Sequence, residues 1–201
     1  VYIQCMTLSG EAPLTESDWI SQARRGDEAA WEALVGAHQA AVFRLAYLFL
    51  GDADDAADVA QDAFLRAQRA LDRFDTSRPL RPWLLRITAN LARNRLRSAG
   101  RYLAALQRLL RSEPRPVLRP QAPDSPAADA QTLWLAVRRL NPNEQQVIYL
   151  RYFLELSEAE MAAALDIPPG TVKSRLHRAL RHLRSVVVDE FPFLREGLVD
   201  G

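Results

Sequence analysis

The sequence predicts an all-α protein, two small helical domains joined by a proline-rich linker. Apolar residues recur at spacings of three and four along most of the chain, and no alternating strand pattern appears. Helix-start signals precede several of these runs, among them Ser157 with Glu160 and the pair Asn141-Pro142. Between Arg111 and Ala130 the pattern stops and five of the 12 prolines crowd together (Pro114, Pro116, Pro120, Pro123, Pro126). That is the composition of an extended tether without a core of its own.

In chain order, residues 1–16 read as a flexible start and 17–100 as the first domain. Trp19, Ile20 and Ala23 lead to Gly26-Asp27, where one helix ends and the next is capped. Trp31, Leu34, Val35, Val42, Leu45, Ala46, Phe49 and Leu50 supply a stripe that runs to Gly51. Asp52, Asp54 and Asp55 suit the exposed amides of a helix start. Asp58 and Asp62 lie deeper, four apart with Gln61 beside them, a like-charge spacing that disfavours the isolated helix and fits a basic partner surface. A solvated face is the plainer alternative. Asp75-Thr76-Ser77-Arg78-Pro79 forms a polar loop. The helix opening at Pro82-Trp83 has Leu84, Ile87, Leu91 and Leu96 on one side, with Arg86, Asn90, Arg93, Asn94 and Arg97 on the others. That second set suits phosphates and base edges, whereas Trp83 reads as a core aromatic.

Residues 101–128 are the linker and 129–188 the second domain, with Leu133, Leu135, Val137 and Leu140 among its first apolar positions. From Ser157 a capped helix carries Met161, Ala164 and Leu165, Asp166 to Gly170 breaks it, and a second helix follows with Val172, Leu176, Ala179, Leu180 and Leu183 on one face. Its other face holds Lys173, Ser174, Arg178 and Arg181; five Lys/Arg and no acid lie between Thr171 and Arg184. The pattern reads as a helix-turn-helix, whose second helix is built to lie in a DNA major groove; a solvated basic face on an ordinary helical hairpin is the plainer alternative, but a bare charge run needs neither the capping box nor the turn. Residues 189–201 are a tail, with Phe191, Phe193 and Leu194 expected to pack onto the domain.

Composition narrows the classes. The chain has 201 residues, 48% hydrophobic, and a net charge of +1 that averages over opposed patches. One cysteine, Cys5, excludes an internal disulfide framework and a cysteine-based zinc site, and fits a reducing cytosol. No apolar run is expected to approach the ~18 residues of a membrane span, and Val1 to Leu8 lacks the basic-then-apolar order of a secretion signal. His38, His177 and His182 are scattered, so no catalytic residue, metal ligand set or cofactor site is expected.

Three motifs in order carry a family resemblance: Leu50-Gly51-Asp52 with Asp58 to Phe64, Arg81 to Ile87 with Asn90, and Gly170 to Ala179. With them the chain resembles a bacterial sigma factor of the extracytoplasmic-function type, over roughly Asp18 to Arg184. The resemblance implies a cytoplasmic promoter-specificity subunit. Asp55, Asp58, Gln61 and Asp62 would dock on the clamp helices of core RNA polymerase, and the second domain on its flap. Asp75, Thr76, Ser77 and Arg78 would hold a flipped base of the minus-ten element, while Arg86, Asn90, Arg93, Asn94 and Arg97 grip the adjoining promoter DNA. Lys173, Ser174 and Arg178 would read the minus-thirty-five element, with Thr171 and Arg175 on phosphates. An anti-sigma factor commonly covers such surfaces. Two positions depart from the family pattern: Ala57, where an acid is frequent, and Glu155, where glycine is frequent before the helix-turn-helix. The competing classes are a free-standing helix-turn-helix regulator and a DNA recombinase, and the chain shows neither a dedicated dimer helix nor a nucleophile constellation.

Overall fold

Local capping decides where most of the helices begin. The computed structural model describes residues 14–110 and 126–191, with side chains over 14–101 and 132–191. Helix α1 (Glu16–Arg24) starts on Thr15, whose hydroxyl accepts from the Asp18 amide while the Asp18 carboxylate accepts from the Thr15 amide at 2.8 Å. The helix therefore starts at Glu16, because this reciprocal pair satisfies amides that would otherwise be unpaired. Asp27 caps α2 (Glu28–Leu50), which closes on Gly51 at φ 74, and Asp52 caps α3 (Ala53–Ala70). A single 3-10 turn, Leu71–Arg73, leads through the polar loop to α4 (Leu80–Leu110).

Helices α1 to α4 share a core in which Leu34, Val42, Leu45 and Phe49 of α2 meet Val59 and Ala63 of α3 and Leu84 and Leu85 of α4. One 18-residue window of α2 is long and apolar enough to cross a bilayer. This differs from the expectation that no apolar run approaches such a length; Glu32, His38 and Arg44 punctuate the stretch and break its apolar character locally. Its apolar side is nevertheless occupied by α1, α3 and α4.

The second unit comprises α5 (Pro126–Arg139), α6 (Pro142–Ile148), one π turn (Tyr149–Phe153), α7 (Glu158–Leu165) and α8 (Pro169–Glu190). Asn141 with Glu144 and Ser157 with Glu160 form the two capping boxes, and the Ser157 amide and hydroxyl hold the Glu160 carboxyl below its usual value. Along α5 and just after it, Val137 and Leu140 face the core with Thr132 and Ala136, while Leu133 and Leu135 are exposed. Two sequence expectations need correction. Leu180, expected on the apolar face of the second helix, is exposed. The break expected over Asp166 to Gly170 is shorter than that: Asp166 (φ 55) is its left-handed residue, and Pro169 already opens α8 because its fixed φ suits a first turn. Phe191 is buried as expected, whereas Phe193 and Leu194, like the tether residues 111–125, lie outside the described residues.

The two units are packed together. Tyr149 is fully buried and meets Phe49 of α2 edge-on at 5.3 Å, with Trp134 and Phe153 completing the ring cluster. Arg138 of α5 donates to the Phe49 carbonyl at 3.2 Å, neutralising the C-terminal end of α2 from across the boundary. Helix α7 lies along α4.

Glu155 adopts φ 57, a left-handed conformation that penalises any side chain with a Cβ. Glu155→Gly removes that penalty of about 1–2 kcal/mol and adds about 0.5–1 kcal/mol of unfolded-state freedom. Thermal unfolding followed by circular dichroism should show a modestly higher midpoint, by about 1–3 °C.

Candidate nucleic-acid interface

The acidic face of α3 is real and partly neutralised from within. Asp58, Gln61 and Asp62 are exposed and Asp55 is half-buried. Arg95 of α4 reaches across, its Nη2 lying 2.5 Å from Asp55 and 3.4 Å from Asp58. The hydrogen bond and charge of Asp55, then Asp58, push the Arg95 guanidinium above the ordinary arginine value. Leu65 is exposed one turn beyond Gln61 and adds an apolar contact to this side of the helix. Neither Arg95 nor Leu65 was found by sequence reasoning. Leu65 had a signal, an apolar residue off the period of Val59, Ala63 and Ala67; Arg95 had none, since its partners lie on another helix.

The loop after Phe74 is organised around Asp75. Its Oδ1 accepts from the Ser77 amide at 3.0 Å and the Ser77 hydroxyl at 2.7 Å, and Arg78 Nε stands 3.5 Å from Oδ2. Asp75, Thr76, Ser77 and Arg78 are all exposed. Both ends of the loop are pinned: Arg24 donates to the Leu71 and Phe74 carbonyls, and Phe74 packs against Trp83 at 4.8 Å. Trp83 is thus a core aromatic, as its position in the sequence suggests.

On α4 the residues Arg86, Asn90, Arg93 and Arg97 share one face, with Asn94 beside it. Asn90, Asn94 and Arg97 are exposed, whereas Arg86 and Arg93 are half-buried. Arg86 pairs with Asp166 at 2.8 Å, and Arg93 donates to Asn90 at 2.7 Å and to Asn143 at 3.2 Å. Burial, then the charge of Arg97, pulls the Arg93 guanidinium below the ordinary arginine value. A cleft of about 550 Å³ opens between Arg93, Leu96 and Arg97 on one side and Asn141, Pro142 and Asn143 on the other.

The N-terminal half of α8 presents Lys173, Ser174 and Arg178 to solvent, with Thr171 and Arg175 half-buried beside them. Val172 and Ala179 are buried behind, so the helix is apolar at its back and cationic in front. His182 is exposed, and its Nδ1 lies 2.8 Å from Glu144, tying α8 to the capping box of α6. His38 is buried, 2.8 Å from Glu16. Among the described residues, no group of three or more His, Cys, Asp or Glu could hold a metal ion.

An acid-faced helix, an Arg/Asn-faced helix and a helix-turn-helix in that order define a protein of the sigma-70 class. The family model for sigma-70 region 2 matches residues 34–102, and that for sigma-70 region 4 matches residues 130–183. The ECF RNA polymerase sigma factor SigW of Bacillus subtilis is 33% identical over 85% of this chain and 95% of its own length. SigL of Mycobacterium tuberculosis is 34% identical over 82% and 93%. The structure of CnrH in complex with the cytosolic domain of CnrY superposes with a TM-score of 0.63, at 29% identity, over 86% of this chain and 96% of that one. The chain belongs to the extracytoplasmic-function (ECF) RNA polymerase sigma factors.

The Ser77 bonds, then the charge of Arg78, hold the Asp75 carboxyl below the usual aspartate value. A depressed folded-state value means that these bonds support the loop at neutral pH and are lost as pH falls through the lowered value. Carboxyl-carbon NMR should find Asp75 titrating below an ordinary aspartate, and Ser77→Ala should move it back up; an unshifted titration in both would contradict this loop geometry.

Proposed function

We propose that this chain is the promoter-specificity subunit of a bacterial RNA polymerase, acting in the cytoplasm on the minus-ten and minus-thirty-five elements of its promoters. Catalysis would belong to the polymerase, and this chain would supply address and strand opening. The observation that carries the reading is the coexistence of the exposed acids of α3 with two separate cation-bearing helices, α4 and α8, in a member of the ECF family. That division suits a protein that grips a machine with one charge and its template with the other.

In this reading Asp55, Asp58, Gln61 and Asp62, with Leu65 among them, meet the clamp helices of the largest polymerase subunit, and the second domain meets the flap. Asp75 to Arg78 receive an unstacked base, and Thr76 and Arg78, the latter paired with Asp75, are exposed at the surface beside it. Arg86, Asn90, Arg93, Asn94 and Arg97 hold the neighbouring strand. Lys173, Ser174 and Arg178 read base edges, while Thr171 and Arg175 hold phosphates. CnrH, a relative of similar fold, is seen with the cytosolic domain of CnrY, and an anti-sigma partner of that kind is proposed here too. A free-standing regulator is disfavoured, since the similarity spans both domains of dedicated sigma factors.

Run-off transcription with core enzyme over a promoter library tests the reading directly: start sites should appear that depend on this protein. Asp58→Arg combined with Asp62→Arg should reduce core binding by at least about tenfold, on the scale of reversing two interfacial charges. Binding of DNA by the full chain should remain. Equal loss of both activities would contradict the assignment of α3 to polymerase.

A further inference from the structure

The two units meet where the first would touch DNA. Asp166, the left-handed residue that ends α7 inside the helix-turn-helix, holds Arg86 at 2.8 Å. One turn earlier on α4, Arg81 donates to the Leu154 carbonyl at 2.8 Å. Two turns after Arg86, Arg93 donates to the Asn143 side chain. A strand following α4 from Arg86 to Arg97 travels about 16 Å, and at Arg86 and Arg93 it would run into the second domain.

We infer that this closed arrangement is a self-masked state, in which Asp166 occupies the phosphate-binding place of Arg86 and the second domain shields the DNA-facing side of α4. The carboxylate stands in for a phosphate oxygen on the same guanidinium, so the Asp166 pair and a phosphate contact made by Arg86 compete. Asp166 belongs to the turn of the helix-turn-helix, so loss of its pair loosens the minus-ten helix and the minus-thirty-five reader at one shared contact, while the Tyr149 cluster and Arg81, Arg93 and Arg138 still link the two units. Both side chains of the pair keep considerable solvent access, 42% for Arg86 and 57% for Asp166. Such a bridge biases a population by a small factor and does not lock it. A weak latch suits a subunit that must open on meeting polymerase and promoter, because each ligand favours the open form by its differential affinity. The inference rests on the DNA-binding role given to Arg86 above.

Energy transfer within the full-length chain tests it. Dyes are placed through Arg69→Cys and Arg184→Cys in a Cys5→Ser background, both labelled positions being exposed and outside the interface. Asparagine tolerates the left-handed region as aspartate does, so Asp166→Asn removes the charge and keeps the turn. Asp166→Asn should raise the open-to-closed ratio by about two- to fivefold. Arg86→Gln should do the same, and the double variant should add nothing to either, as expected of direct partners. Unchanged transfer in Asp166→Asn, or additive effects in the double variant, overturns the latch. In parallel, Asp166→Asn should bind a short single-stranded oligodeoxynucleotide of mixed sequence about two- to fivefold more tightly than the wild type; unchanged or weaker binding overturns the masking. Polymerase is absent from both measurements, so a negative result here leaves the sigma-factor reading to be judged by the transcription assay alone.

Discussion

The ring of Tyr149 is the point on which both halves of the molecule depend. It is wholly buried, stacked on Trp134 at 5.6 Å, edge-on to Phe153 at 5.8 Å and edge-on to Phe49 at 5.3 Å. Burial pushes its hydroxyl well above the usual phenol range, so it stays neutral, and its closest polar neighbour is Gln145. Three of these rings organise the second domain, and the fourth belongs to the first. Aromatic pairs of this kind contribute about 0.5–1.5 kcal/mol each beyond their area. The same cluster that builds the helix-turn-helix support therefore also holds the two domains in contact.

That dual use explains why a small set of polar links is enough at the boundary. Arg81, Arg86, Arg93 and Arg138 all reach from one unit to the other, three of them ending on neutral acceptors and one on a carboxylate. Individually such contacts are weak in partly exposed surroundings. They fix orientation, while the buried rings supply the attraction. The interface is thus mixed in character, with a small apolar centre and a cationic rim, resembling a transient protein–protein contact more than a continuous core.

Features that depend on neighbours three or four residues apart were legible in the sequence. The capping box at Ser157, the N-cap at Asn141 with its first-turn proline, the start of α3 at Asp52, the cationic front of α8 and the packing of Trp83 on the core all follow from short-range rules, and the family resemblance came from short motifs. The pairings that crossed the chain were not legible. Nothing near Arg95 in sequence names Asp55 and Asp58 as its partners, and nothing near Asp166 names Arg86. Which apolar residues of α5 turn inward was not legible either: in a short helix rich in them several stripes fit the period, and the packing of α5 against α6 and α8 buries Val137 and Leu140 and leaves Leu133 and Leu135 exposed. Nothing near His182 names Glu144, 38 residues away, as its partner.

Helix α8 is a single uninterrupted rod of 22 residues, about 33 Å long. It is moored in the same core near both ends, by Val172 at one and by Val186, Val187 and Phe191 at the other. A reading head mounted on such a rod has little freedom to swivel or slide to suit an ill-fitting groove. Any misfit must then be absorbed by the duplex, through bending or a change of groove width. The stiffness of base steps that no side chain touches becomes part of how one promoter is told from another.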